Sequence, residues 1–209
     1  MAIIRKEAYF NSSTGKNKIH CMIWQDDAVK PIALFQIAHG MSEHIERYDD
    51  FACFLAGHGF IVCGNDHLGH GKSVNSLDDL GYMDDKNGHI RMVDDMHILH
   101  HSHAQAATLT YPIFSLATAW VRFLTRRYLS AYPGKEPDGV ILLGTGFPAL
   151  PLVFTGEMLA SLFGKRKGKH YRSVCSMSFP SETITGNSSR QRRLTTGCPG
   201  MKRETALRG

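Results

Sequence analysis

Short apolar runs alternate along the chain with segments whose apolar positions recur at helical spacing. Pro31-Ile32-Ala33-Leu34-Phe35-Gln36-Ile37-Ala38 is almost continuously apolar, and Phe60-Ile61-Val62-Cys63 and Gly139-Val140-Ile141-Leu142-Leu143-Gly144 repeat the pattern. Runs of this length predict strands buried on both faces. Lys18–Trp24 alternates partially and predicts an earlier strand, and a further strand is expected near Pro112–Leu116. Between them, Tyr48–Ala56 sets Phe51, Phe54 and Leu55 on one helical face, with Gly57 and Gly59 to end it. Helices are also predicted around Met92–Ala107 and Trp120–Ala131. Strands that alternate with helices predict an α/β fold: an open, mostly parallel sheet with helices on both faces. Ligands bind such sheets beyond the carboxyl ends of the strands. Those ends are His39–His44, Asp66–Ser73, the 115–121 segment and Thr145 onward.

The pattern changes after Gly146. Phe147–Phe163 is apolar with a single acid, Glu157, and runs into Lys165-Arg166-Lys167-Gly168-Lys169. An apolar helix with a basic end suits a lid that touches a lipid interface, and it equally suits a core helix with a solvated end. From about Ser173 the chain is rich in Ser, Thr, Gly and Arg without periodicity, which predicts disorder. The expected organisation is therefore 1–146 as the sheet-bearing core, 147–172 as the start of a lid or cap region, and 173–209 as a disordered tail.

Charge follows the same division. The net charge of +5 comes from the tail: from Lys165 onward there are 11 Lys or Arg against Glu182 and Glu204, and the preceding residues carry 13 bases and 17 acids. A basic tail beside an acidic body does not make a nucleic-acid-binding face, so no nucleic-acid partner is expected. The five cysteines (Cys21, Cys53, Cys63, Cys175, Cys198) form no C-x-x-C pair, and an odd, unpatterned set predicts reduced thiols in a cytoplasmic protein. No apolar stretch is long enough to span a bilayer, so membrane contact is expected only at the periphery, through 147–169.

Two loops carry the chemistry. His39-Gly40-Met41-Ser42-Glu43-His44-Ile45-Glu46-Arg47-Tyr48 resembles the H-G-x-x-E-H-x-x-R-Y signature of monoacylglycerol lipases and lysophospholipases of the α/β-hydrolase superfamily. Asp66-His67-Leu68-Gly69-His70-Gly71-Lys72-Ser73 resembles the D-H-x-G-H-G-x-S loop of the same family. The resemblance covers roughly residues 1–172 and implies serine-dependent hydrolysis of a small lipid ester without a cofactor. It implies that the N–H groups of Met41 and Trp120 face a developing oxyanion. His39, Gly40, Glu43, His44, Asp66, His67, Gly69, His70, Gly71 and Ser73 are the supporting residues, with Asp66 tying down the neighbouring loop. A phosphate-loop reading of Gly71-Lys72-Ser73 fails, because Asp66 stands where that motif needs glycine. His97 and His101 lie four apart, as zinc ligands on a helix do, but no third ligand completes a site. No metal is expected.

The family's nucleophile motif, Gly-His-Ser-Met-Gly, is replaced. Its flanks, Tyr111–Phe114 and Phe123–Tyr128, are intact, yet between them stands Ala117-Thr118-Ala119-Trp120-Val121. Ala119 occupies the serine position, and the Cβ atoms of Ala117 and Val121 are expected to crowd the tight turn. GGC-CAC-AGC-ATG-GGT encodes the family motif and, read one base later, gives Ala-Thr-Ala-Trp-Val. A similar shift converts Gly197–Arg203 into lid-like sequence. A short out-of-frame stretch is therefore one origin of both segments, which sequencing of the coding DNA tests. In family order the aspartate and histidine of the triad follow the serine. After Gly146 there is no aspartate and only His170, so the resemblance implies a chain that stops short of both. The expectation is a catalytically inactive relative. The alternatives are a hydrolase with a substitute nucleophile such as Ser73 or Cys63, and a non-catalytic lipid- or partner-binding module.

Overall fold

The structure, a computed structural model, describes residues 3–84, 86–106, 111–134, 137–144 and 150–168. Expectations for 173–209, and those resting on His170, Cys175 and Cys198, lie outside these residues. Six strands form one sheet in the order β1-β2-β4-β3-β5-β6. They are β1 (Ile3–Asn11), β2 (Lys18–Asp26), β3 (Ala33–Ala38), β4 (Phe60–Asn65), β5 (Ile113–Thr118) and β6 (Gly139–Leu143). β1, β2 and β4 pair antiparallel, and β3 pairs parallel with both β4 and β5, which in turn pairs parallel with β6. Helices α1 (Asp49–Ala56), α2 (Gly88–Ala106) and α3 (Val121–Ala131) form the crossovers, and α4 (Leu150–Lys167) follows β6. This is the predicted mostly parallel sheet. α2 starts at Gly88 rather than near Met92, and β1 is an addition. Its residues are largely exposed, and Arg5, Lys6 and Glu7 hide the alternation of an edge strand.

The sheet has a core on each face. On one face, Trp24, Phe35, Ile37, Val62 and Leu116 pack with Ala52 and Ala56 of α1. On the other, Ile19, Ala38 and Ala117 pack with Met92, Val93 and Met96 of α2 and Val121, Leu124 and Tyr128 of α3. Neighbours along β3 and β5 point to opposite cores, as the pleat requires. Gln36, the one polar residue inside the β3 run, is buried, and its Nε2 donates to Met96 O at 3.1 Å. Asp95 on α2 holds the β1–β2 turn, accepting from Ser12 Oγ at 2.8 Å and Ser13 N at 2.6 Å. The expected α4 forms within the apolar stretch, with Pro151 in its first turn, where proline is tolerated. Leu150, Phe154, Met158, Leu159 and Leu162 on it are all exposed.

The order of the strands positions the site. The chain winds from β3 to β4 on one side of β3 and later returns to β5 on its other side. The carboxyl ends of β3 and β5 flank this switch point, where loops leave in opposite directions and open a crevice.

Candidate active site

The register Ala38↔Ala117 between β3 and β5 sets His39-Gly40 beside Thr118-Ala119. Gly40 is buried. An added Cβ there would lie 3.2 Å from Ala119 Cβ, 3.2 Å from Thr118 Oγ1 and 3.1 Å from Glu43 Oε2. Only glycine lets the first loop approach the second so closely.

Ala119 is exposed and has φ +51°, the left-handed region that costs a non-glycine residue about 1 kcal/mol or more. Its carbonyl accepts from Arg122 Nη1 at 2.6 Å. β5, Ala119 and α3 thus form a strand–turn–helix elbow whose turn residue carries a methyl group. The expected crowding does not occur. Ala117 and Val121 are fully buried and pack in the α2–α3 core, so their side chains turn inward, away from the turn. Among the described residues, neither Met41 N–H nor Trp120 N–H makes a hydrogen bond, which leaves both open as donors. Ser42, following Met41, also has positive φ, +58°. His44 is exposed, 3.8 Å from Glu46.

The loop after β3 is tied down by its own side chains. Glu43 Oε2 accepts from Gly40 N at 2.8 Å and from Tyr48 Oη at 2.8 Å, and Tyr48 Oη lies 3.0 Å from Thr118 Oγ1. His39 Nε2 accepts from His67 N at 3.0 Å. Its proton therefore sits on Nδ1, which donates to Gly40 O at 2.8 Å. Burial, with a smaller contribution from nearby His70, pushes the His39 pKa down to about 4, so the ring is neutral.

Asp66 anchors the second loop. It is buried and accepts from Ile45 N at 2.7 Å, Lys72 N at 2.8 Å and His20 Nδ1 at 2.8 Å. Burial alone would raise its pKa, but the bond from His20 and those from the two backbone N–H groups outweigh it and hold the carboxylate below its ordinary value. Gly71, at φ +49°, is required because a Cβ would collide with the Asp66 carboxylate. Gly69 closes the turn, donating to Ser73 O at 3.3 Å.

His67 and His70 are buried beside His39, with ring centroids 4.4 Å and 5.5 Å from it, and His70 stacks over Trp120 at 6.4 Å. Burial lowers the pKa of both, and neither ring nitrogen of His67 has a hydrogen-bond partner. The suggested substitute nucleophiles are both unsuited. Ser73 is fully buried, donates to Asp66 O at 2.7 Å and accepts from His20 N at 2.9 Å. Cys63 is buried, and desolvation drives its thiol pKa strongly upward, away from thiolate. His97 stacks on Tyr132 at 3.8 Å, and no metal-competent cluster exists among the described residues. Sequence reasoning missed His20 and Thr118. The first lies in a strand with no motif around it, and the second stands where the family has histidine.

The fold and this site define an α/β-hydrolase. The model of the serine aminopeptidase, S33 family matches residues 29–195, and the chain belongs to that family. Over 77 residues it is 36% identical to the monoglyceride lipase homolog of monkeypox virus, covering 37% of this chain and 23% of the viral protein. Over 55 residues it is 40% identical to mouse monoglyceride lipase, covering 26% of this chain and 18% of the mouse enzyme. The crystal structure of a thermostable carboxyl esterase from Bacillus coagulans, in complex with glycerol, superposes with a TM-score of 0.73 at 25% identity, over 90% of this chain and 60% of that one. A soluble variant of the Saccharomyces cerevisiae monoglyceride lipase shares the fold, with a TM-score of 0.59 at 18% identity, over 78% of this chain and 52% of that one. The chain thus spans less than two-thirds of the length of each. None of its described helices is long and apolar enough to cross a membrane.

Proposed function

We propose that this chain is a catalytically silent relative of the lipid ester hydrolases, which binds a carboxylic ester of a lipid without cleaving it. The observation that carries this reading is Ala119, held in the conformation of a nucleophile elbow by its neighbours but bearing a methyl group. A methyl group cannot add to a carbonyl, so no acyl-enzyme forms. The open N–H groups of Met41 and Trp120 support retained recognition of an ester carbonyl. The exposed apolar residues of α4, followed by Lys165-Arg166-Lys167, support peripheral contact with a lipid surface. Monoacylglycerols and lysophospholipids are the ligands that the resemblance and the names of its relatives suggest. The test is exposure of the purified chain to a fluorophosphonate probe together with a fluorescent acyl ester. The ester should bind while the probe leaves no covalent adduct. Stoichiometric labelling would overturn the proposal in favour of a substitute nucleophile.

A further inference from the structure

Glu7 stands on β1, two residues before Tyr9, which faces His20 across the register, so the three side chains share one face of the sheet. Glu7 is exposed, yet its Oε1 meets three groups. Tyr9 Oη donates to it at 3.2 Å and Lys72 Nζ at 2.9 Å. His20 Nε2 lies 3.1 Å away, within ion-pair distance but without the alignment of a hydrogen bond. Two arms run from this oxygen to the loop after β3. The inner arm passes through the fully buried His20, whose Nδ1 donates to Asp66 Oδ2 at 2.8 Å, and ends where Asp66 Oδ1 accepts from Ile45 N at 2.7 Å. The outer arm passes through Lys72, whose Nζ also donates to Glu46 Oε1 at 2.8 Å. Lys72 N in turn donates to Asp66 Oδ2 at 2.8 Å, which closes the circuit. The arms thus grip two adjacent residues, Ile45 and Glu46. Ile45 is the pivot of that loop, its side chain fully buried against a Gly64 that has no room for a Cβ. Met41, with its open N–H, stands four residues earlier.

We infer that Glu7 is a positioning residue for the crevice: from the edge of the sheet it sets the loop that carries the Met41 N–H, through His20 and Asp66 inside and through Lys72 and Glu46 outside. Each arm uses the carboxylate differently. On the inner arm it braces the side of the His20 ring opposite Asp66, so the ring stays aimed at its acceptor. On the outer arm it shares the Lys72 ammonium with Glu46 and holds a long, flexible side chain in one place. Exposed ion pairs are screened by salt and buried hydrogen bonds far less, so only part of this grip is sensitive to salt. The positioning belongs to the loop itself; its effect on ester affinity rests on the ester-binding reading above.

Amide hydrogen exchange of the full chain, read residue by residue by NMR, tests it. Glu7→Gln keeps the side chain's shape and removes its charge. It should speed exchange of the Ile45 N–H about threefold, the scale of an exposed ion pair, and leave Val62 in β4 and Leu116 in β5 unchanged. In about 1 M NaCl the unsubstituted chain should approach the variant, because its exposed pairs are then screened. His20→Asn can offer Asp66 a donor in place of Nδ1 but cannot reach Glu7. Adding it to Glu7→Gln should therefore change Ile45 exchange little further, since the link between the two is already gone. Equal acceleration at Ile45, Val62 and Leu116 would mean a merely stabilising role and would overturn the inference, as would unchanged exchange at Ile45. Affinity for a fluorescent acyl ester should fall in Glu7→Gln by about the same factor, and unchanged affinity would overturn the inference too. Failure of the unsubstituted chain to bind that ester would overturn the ester-binding reading and leave the exchange rates to decide this one.

Discussion

The loops after β3 and β4 and the turn after β5 meet in one crevice, but they are held in different ways. Asp66, Glu43, His39 and Ser73 fasten the first two through hydrogen bonds to buried partners. The turn at Ala119 carries no such clasp of its own motif. It is held by Ala117 and Val121 in the core, by Arg122 on its carbonyl and by Thr118 against Tyr48. The polar frame depends on the identity of its residues, because the oxygens of Asp66, Glu43 and Ser73 each hold particular partners. The elbow depends on packing, so its backbone shape does not hang on the side chain at position 119.

The largest difference between the two regions should appear on removal of Asp66. Asp66→Ala strips three donors of their partner in a buried site and should destabilise the chain by roughly 4 kcal/mol, enough to abolish a cooperative denaturant transition. A loss under about 1 kcal/mol would mean that the frame is as replaceable as the elbow.

Acid should find the same region next. His39 has a folded pKa of about 4 against an unfolded value near 6.5. The unfolded chain therefore binds the extra proton first, and the stability held by the neutral ring is present above about pH 6.5 and lost as pH falls toward 4. His39 alone corresponds to roughly 3 kcal/mol by pH 4, with His67 and His70 shifted in the same direction. Melting temperature measured from pH 7.5 to 4.5 should fall steadily, and a flat profile would contradict the burial of these rings.

The elbow should answer with a gain. Ala119→Gly removes the Cβ penalty at φ +51° and should stabilise by about 1 kcal/mol, seen as a higher denaturant midpoint at unchanged slope. Destabilisation would mean that the Ala119 methyl group makes contacts worth more than the strain it causes.

The smallest effect is expected from Ala119→Ser. The hydroxyl returns to a formed elbow, but turnover of p-nitrophenyl esters should stay at background. In family order the acid and base lie after Gly146, where this sequence has no aspartate and only His170. Measurable turnover would show that other residues supply them.

Much of this arrangement was legible in the residues themselves. Buried parallel strands announce themselves as apolar runs, and two ten- and eight-residue loop motifs locate the crevice, because their glycines and carboxylates serve local contacts that leave a local signature. β1 was not legible. An edge strand needs only one covered face, and Arg5, Lys6 and Glu7 obscure that face. The survival of the elbow was not legible either. Crowding at Ala117 and Val121 was expected from the motif alone, whereas the direction of their side chains is set by Met92, Leu124 and Tyr128, residues distant or unremarkable in sequence. The Thr118–Tyr48 bond joins positions 70 apart, and no linear pattern reports such a meeting.

The two borders of the sheet carry a consequence for how the chain must be handled. Among the described residues, β1 ends one border with charged residues, while β6 ends the other with Val140-Ile141-Leu142-Leu143, of which Ile141 and Leu143 are about half exposed. Charged borders discourage strand addition and apolar ones invite it. Folding of one chain is first order, but capture of one border by another chain is second order and accelerates with concentration. Where β6 is left uncovered, the yield of single molecules is set as much by dilution as by intrinsic stability, and slow synthesis in a dilute compartment favours the monomer.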